Sequence, residues 1–167
     1  MDNDGSTCFA KVWSPMKFAA DSMLGRLAKW LRILGYDTLY ARAQSDKEFM
    51  QLAREGRILL SRNSRFKKKI SKDNLVFIEG NDPTTQLQAL IHTLGLPIEP
   101  ERFFTRCTIC NGQLERISRE DVAGKVPDYV WGEHNHFSEC ENCGKIYWPG
   151  SHMARSREEI LQLLGVS

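Results

Sequence analysis

The chain has 167 residues, with 23 Lys plus Arg against 21 Asp plus Glu, a formal charge of +2 and 41% hydrophobic residues. That apolar content, without a sustained heptad, excludes a disordered chain and a coiled-coil rod. No run approaches the roughly 20 apolar residues of a membrane helix, and the opening Met1-Asp2-Asn3-Asp4-Gly5 is acidic where a secretion signal is basic, so the expectation is a cytoplasmic protein with no membrane partner.

Residues 1–14 hold Asp, Asn, Gly and Ser and end near Pro15, which reads as a disordered tail with Cys8 as a spare thiol. Met16–Ala20 is a strand candidate, followed by Asp21 where a helix is expected to begin. Leu24, Leu27, Ala28, Leu31 and Leu34 recur at helical spacing, Arg26, Lys29 and Arg32 form an outer basic face, and Gly35 is the stop. Met23 and Trp30 read as core. Tyr36–Tyr40 is a second strand, and Ser45-Asp46-Lys47-Glu48 is a capping box opening a helix to about Glu55, with Gly56 ending it. Arg57–Ser61 is a compact apolar strand suited to the centre of a parallel sheet. Leu75–Ile78 is a fourth strand, and Asp82-Pro83-Thr84 starts a helix through about Thr93. Strand and helix alternate, so residues 15–100 are expected to form an α/β domain with a parallel sheet covered on both faces.

Pro97 and Pro100 mark a boundary, beyond which residues 101–152 are short strands, turns and cysteines. So short a segment needs a staple. Cys107/Cys110 and Cys140/Cys143 are two Cys-x-x-Cys turns, each with Gly one or two residues on, and together they specify a tetrahedral four-thiolate structural zinc site. The 29 residues between the pairs, 111–139, point to an inserted loop around Pro127 and Trp131. His134, His136 and His152 are alternative ligands, and a redox dithiol is the competing reading of the cysteines. Residues 153–167 are expected to be a helix, started by the Ser156-x-x-Glu159 box and packing through Ile160, Leu163 and Leu164.

Asp21, Asp46 and Asn63 follow the first three strands, and Glu79 and Asp82 follow the fourth, at the C-terminal sheet edge where open α/β folds place their sites. Carboxylates converging there can hold Mg or Mn and activate water for phosphodiester cleavage. Each also has a structural reading: Asp21 and Asp82 as helix caps, Asp46 as a first-turn acid favoured by the helix dipole. Between Ser61 and Lys72 six basic residues and no acidic ones occur, leaving 17 basic against 21 acidic elsewhere. Arg62, Arg65, Lys67, Lys68 and Lys69 can therefore lay a phosphate backbone across the acidic edge, with Arg26, Lys29 and Arg32 extending the track. Base stacking must come from outside this run; Trp131, Tyr147 and Trp148 are the candidates, each also readable as ribbon core.

The run Asp21-Ser22-Met23-Leu24-Gly25-Arg26-Leu27-Ala28-Lys29-Trp30-Leu31-Arg32-Ile33-Leu34-Gly35-Tyr36-Asp37, then Glu55–Arg62, Arg106-Cys107-x-x-Cys110-Asn111, Val126-Pro127, Cys140-x-x-Cys143 and Tyr147-Trp148-x-Gly150-Ser151-His152, resembles the RNase domain at the C-terminus of Mut-seven exonucleases. The resemblance covers roughly Met16 to His152. It implies a PIN-like three-layer fold with a central parallel sheet, a small C-terminal zinc ribbon, and metal-dependent RNA cleavage. Asp21 and Asp46 would be metal-binding carboxylates, with 5′-phosphate and 3′-hydroxyl products. His152 matches the family's Trp-x-Gly-Ser-His motif as an RNA contact or as a residue orienting the ribbon's turn. One departure stands out: where the family has Thr-Arg-Asp after the third strand, this chain has Ser61-Arg62-Asn63, which removes a negative charge from the site.

Two functions of different class follow. The first is a metal-dependent endoribonuclease using Asp21, Asp46 and the Asn63 position, with Glu79 or Asp82 as a weaker fourth group. The second is a non-catalytic RNA- or ribosome-binding module with a vestigial acidic edge. Expected partners are RNA and, through the ribbon, a protein or ribosome surface, with the chain a monomer or weak homodimer.

Overall fold

The structure is a computed structural model that describes residues 16–42 and 44–165; the expected tail and Cys8 lie outside the described residues. Four parallel strands, β1 (Lys17–Asp21), β2 (Asp37–Ala41), β3 (Arg57–Ser61) and β4 (Leu75–Phe77), lie in the order β2-β1-β3-β4. The apolar third strand is thus interior, as its composition predicts, beside β1.

Period-two alternation splits the core into two layers. Phe18, Ala20 and Leu60 face one side with α1 (Gly25–Ile33) and α3 (Pro83–Leu94), and Ala19 and Leu59 face the other with Phe49 and Leu52 of α2 (Asp46–Arg54). Helices therefore cover both faces, giving the expected three-layer α/β architecture. The Ser45/Glu48 capping box forms with both reciprocal hydrogen bonds, and Asp82 caps α3 ahead of Pro83. Gly35, at φ +88°, ends α1; a Cβ there would sit 2.5 Å from the Arg102 carbonyl oxygen, so the close approach of the following segment requires glycine.

Beyond Arg102 an antiparallel sheet forms from β5 (Leu114–Ile117), β6 (Phe137–Cys140) and β7 (Ile146–Tyr147), in that order. The segment expected as an inserted loop contains two short helices, α4 (Arg119–Val122) and α5 (Asp128–Glu133). Their Val122 and Val130 pack with Phe137 into a small core of their own. The last helix, α6 (Ser151–Leu164), begins five residues before the Ser156-x-x-Glu159 box; it starts after Pro149-Gly150, and Ser156 lies inside it. Ile160 is fully buried in the α1/α3 layer, and Gln88 Nε2 donates to the Leu163 carbonyl at 2.7 Å.

Two expectations about α1 are corrected. Met23 precedes the helix, so helical spacing does not apply to it, and it is 62% exposed. Arg32 is 5% exposed and does not belong to the outer basic face. Its Nε donates to the Thr38 carbonyl at 2.9 Å, and its Nη1 to the carbonyls of Thr108 and Ile109 at 3.1 and 2.9 Å.

Candidate metal centres

Asp21 ends β1, where its carboxylate turns toward the end of β3. Oδ2 accepts from the Ser61 hydroxyl at 2.5 Å and from the Arg62 backbone N–H at 2.9 Å, while Oδ1 accepts from the Met23 N–H at 2.9 Å. Asp21 is not a helix cap, since Leu24 occupies that position in α1. Ser61, fully buried, also accepts from the Asn63 N–H at 2.9 Å, so one hydroxyl fixes both the carboxylate and the following turn.

Asp21, Asp46 and Asn63 line one cavity of about 170 Å³ at the C-terminal sheet edge, together with Gln44, Phe49 and Arg65. Three of the predicted residues are thereby brought together. Glu79 and Asp82 are not among its lining residues: Glu79 borders a separate cleft against α3, and Asp82 serves as the α3 cap. Asp82 accepts from Thr85 N–H and Oγ1 at 2.7 and 2.8 Å, bonds that hold its carboxyl below the usual range.

Asn63 caps a 3-10 turn, Ser64–Lys68, that carries half of the basic run. Its Oδ1 accepts from Arg65 N and Nε at 3.1 and 3.3 Å, and Arg65 Nη2 lies 3.7 Å from Asp46 Oδ2. Arg65 therefore bridges two of the three cavity groups. Lys67, Lys68 and Lys69 are exposed, Lys67 with its ammonium 3.6 Å above the Phe77 ring. The Arg62 guanidinium is tied to Asn81 Oδ1 at 2.6 Å.

The second centre is the knuckle pair. The four Sγ atoms of Cys107, Cys110, Cys140 and Cys143 lie within 4.8 Å of one another, with Cys107–Cys143 at 3.7 Å and Cys110–Cys140 at 3.3 Å. A tetrahedral ion with metal–sulfur bonds of about 2.3 Å spaces its thiolates similarly, so the residues fit zinc. No histidine joins this cluster among the described residues; His136 Nδ1 instead meets Arg116. A Cβ on Gly112 would come within 2.8 Å of Cys140 Sγ, which explains the glycine after the first knuckle. Burial opposes ionisation of Cys107, but hydrogen bonds from the Tyr147 hydroxyl and from the Cys110 and Ile109 amides outweigh it and bring the thiol down to about 6. The thiolate is the form that binds metal.

Sequence reasoning missed how this knuckle is docked. Asn111, at φ +72°, donates from Nδ2 to Asp37 Oδ1 and accepts at Oδ1 from the Thr38 N–H. Asp37 also pairs with Arg57 at 2.7 Å. Burial works against the Asp37 carboxylate, yet the Arg57 and Asn111 hydrogen bonds hold its pKa below the ordinary value. The signal available was that both Asp37 and Asn111 are polar residues at the edges of matched motifs.

A family model described as the Mut7-C RNAse domain matches residues 16–160. Searches of curated proteins and of solved structures return no match. The family match runs from β1 through the acidic cavity and both knuckles into α6, and the chain belongs to the Mut7-C RNase domain family.

Proposed function

We propose that this chain is a metal-dependent endoribonuclease acting at the cavity lined by Asp21, Asp46 and Asn63. The observation that carries the reading is their convergence on one cavity at the C-terminal edge of a parallel sheet, beside an exposed basic turn. The donors are hard oxygens of the kind that hold Mg or Mn. Such a cation, when bound there, supplies charge to the scissile phosphate and a more acidic water.

The chain's own residues have distinct tasks. Ser61 and the Arg62 amide orient Asp21, and the 3-10 turn offers Arg65 and Lys67–Lys69 to the flanking phosphates. Each carboxylate oxygen has two lone pairs, so Asp21 retains one free on Oδ1, while Asn63 Oδ1 has both committed to Arg65. Opening the site to a cation requires Arg65 to leave Asn63 and Asp46, and a phosphate is a natural destination for its guanidinium.

Zinc-loaded protein incubated with single-stranded RNA should cleave it only when Mg or Mn is added, leaving 3′-hydroxyl ends. Asp21→Ala should abolish cleavage, and Asn63→Asp should raise it well above the parent. A second reading, a non-catalytic RNA-binding module, draws on Asn63 and the Arg65 bridge. RNA binding without cleavage in both the parent and Asn63→Asp would establish it instead.

A further inference from the structure

A groove of about 590 Å³ lies apart from the acidic edge, between α1, the ribbon and the start of α6. This is within the roughly 300–1,000 Å³ typical of ligand sites. Its lining includes Tyr129 of α5, which is 68% exposed, the half-buried Phe104, Tyr147 and Trp148, and the imidazoles of His134 and His152. Tyr147 has its hydroxyl committed to the knuckle, within hydrogen-bond distance of Cys107 and Thr108, and so is fixed in place. Trp148 folds over Gly150, where a Cβ would stand 3.0 Å from Nε1. Lys29 and Lys145 are the cations of the lining, and Glu133 is its one acid.

We infer that this groove is a nucleobase subsite for unpaired RNA, stacking a base on Tyr129 or Trp148 while Lys29 and Lys145 hold its phosphates. The inference rests on the ribonuclease reading and deepens it by naming single-stranded substrate. Two arguments select RNA as the occupant. Aromatic faces beside flexible ammonium groups form the combination that binds single strands without sequence preference. The groove is also reached along α1 from the acidic site: Ser22 and Met23, just before the helix, line that cavity, Lys29 lines the groove, and exposed Arg26 lies between them in the chain. From Gly25, the first residue of α1, to Lys29 is about one helical turn, roughly 6 Å. Duplex RNA keeps its bases stacked and cannot offer one to these rings.

The test is fluorescence anisotropy of a labelled ten-nucleotide oligouridylate with zinc-loaded protein in the absence of Mg and Mn. Tyr129→Ala should weaken binding about tenfold, the scale of one lost base–aromatic stack, and Tyr129→Phe should restore it. Binding of a ten-base-pair RNA duplex should not change with Tyr129→Ala. Ultraviolet cross-linking should attach uridine to the peptide containing Tyr129 or Trp148. Parent-like affinity in both Tyr129→Ala and Lys145→Ala, with loss only in Lys67→Ala, would overturn the inference. So would a poly-glutamate peptide that binds the parent more tightly than the RNA does and loses affinity in Tyr129→Ala. Because no cleavage occurs under these conditions, failure of the nuclease reading shows separately, as RNA that binds here and is never cut once Mn is added.

Discussion

Asn111 donates from Nδ2 to Asp37 Oδ1 at 2.8 Å, joining the first Cys-x-x-Cys knuckle to the start of β2. The oxygen of the same amide accepts from the Thr38 N–H, so a single side chain spans two consecutive residues of the sheet edge. Its φ of +72° is in the left-handed region that Asn tolerates better than most residues. One residue therefore contributes both to the turn of the knuckle and to the docking of the ribbon.

Asn111→Ala removes both hydrogen bonds and puts at positive φ a residue that tolerates it less well than Asn, and it should cost about 2–3 kcal/mol in urea unfolding. Asn111→Gly keeps the backbone free and loses only the hydrogen bonds, so it should fall between Ala and the parent. Equal stability of all three would show that the contact contributes nothing.

Arg32 is the second tie. Burial lowers its pKa, while Cys107, Cys110, Tyr147 and Asp37 favour its charge. Arg32→Met would leave the carbonyls of Thr38, Thr108 and Ile109 without this donor, a loss of about 3 kcal/mol. Zinc release to a chelator should quicken in parallel, followed with a colorimetric zinc dye. Arg32→Lys should not rescue, because one ammonium cannot reproduce the fork.

Asp37 and Arg57, 16% and 14% exposed at their side chains, form an ion pair whose contribution depends on pH. The folded pKa of Asp37 lies below its unfolded value of about 3.9, so the stabilisation is fully present above that value and disappears as pH falls through the folded pKa. A double-mutant cycle of Asp37→Asn and Arg57→Gln should give a coupling of about 1–2 kcal/mol at pH 6 that shrinks toward zero in strong acid. Coupling that stays constant across this range would assign the interaction to packing.

Much of this was readable from residue order. The alternation of apolar strands with capped helices gave the parallel sheet, because Ser45/Glu48 and Asp82-Pro83 are local signals that tertiary packing left unchanged. The four cysteines were legible because a metal site constrains spacing. Arg32 was misplaced on chemical type: it lies four residues after buried Ala28, on the buried arc of α1, and its charge outweighed its position. α4 and α5 were missed because helices of four and six residues carry too little periodicity to register. Glu79 and Asp82 follow the edge strand β4, and following a strand does not place a side chain in the cavity lined by the ends of β1 and β2 and the turn after β3.

Zinc removal offers a separate check on the ribbon. Chelation, or Cys107→Ser, should unfold residues of the small Val122/Val130/Phe137 core and lower the Tm of the whole chain, since Arg32 and Asn111 lose their partners with it. A melting curve of the α/β layer unmoved by zinc loss would show the two parts to be independent.

On the proposed function, the Asp21/Asp46/Asn63 cavity is a cation site restrained by an amide and by Arg65. Calorimetric titration of Mn into the zinc-loaded protein tests it most directly. Binding should be weak in the parent, absent in Asp21→Ala, and about tenfold tighter in Asn63→Asp, where a ligand gains charge, with Arg65→Ala also tightening. Identical binding in the parent and Asp21→Ala, or none even in Asn63→Asp, would contradict it.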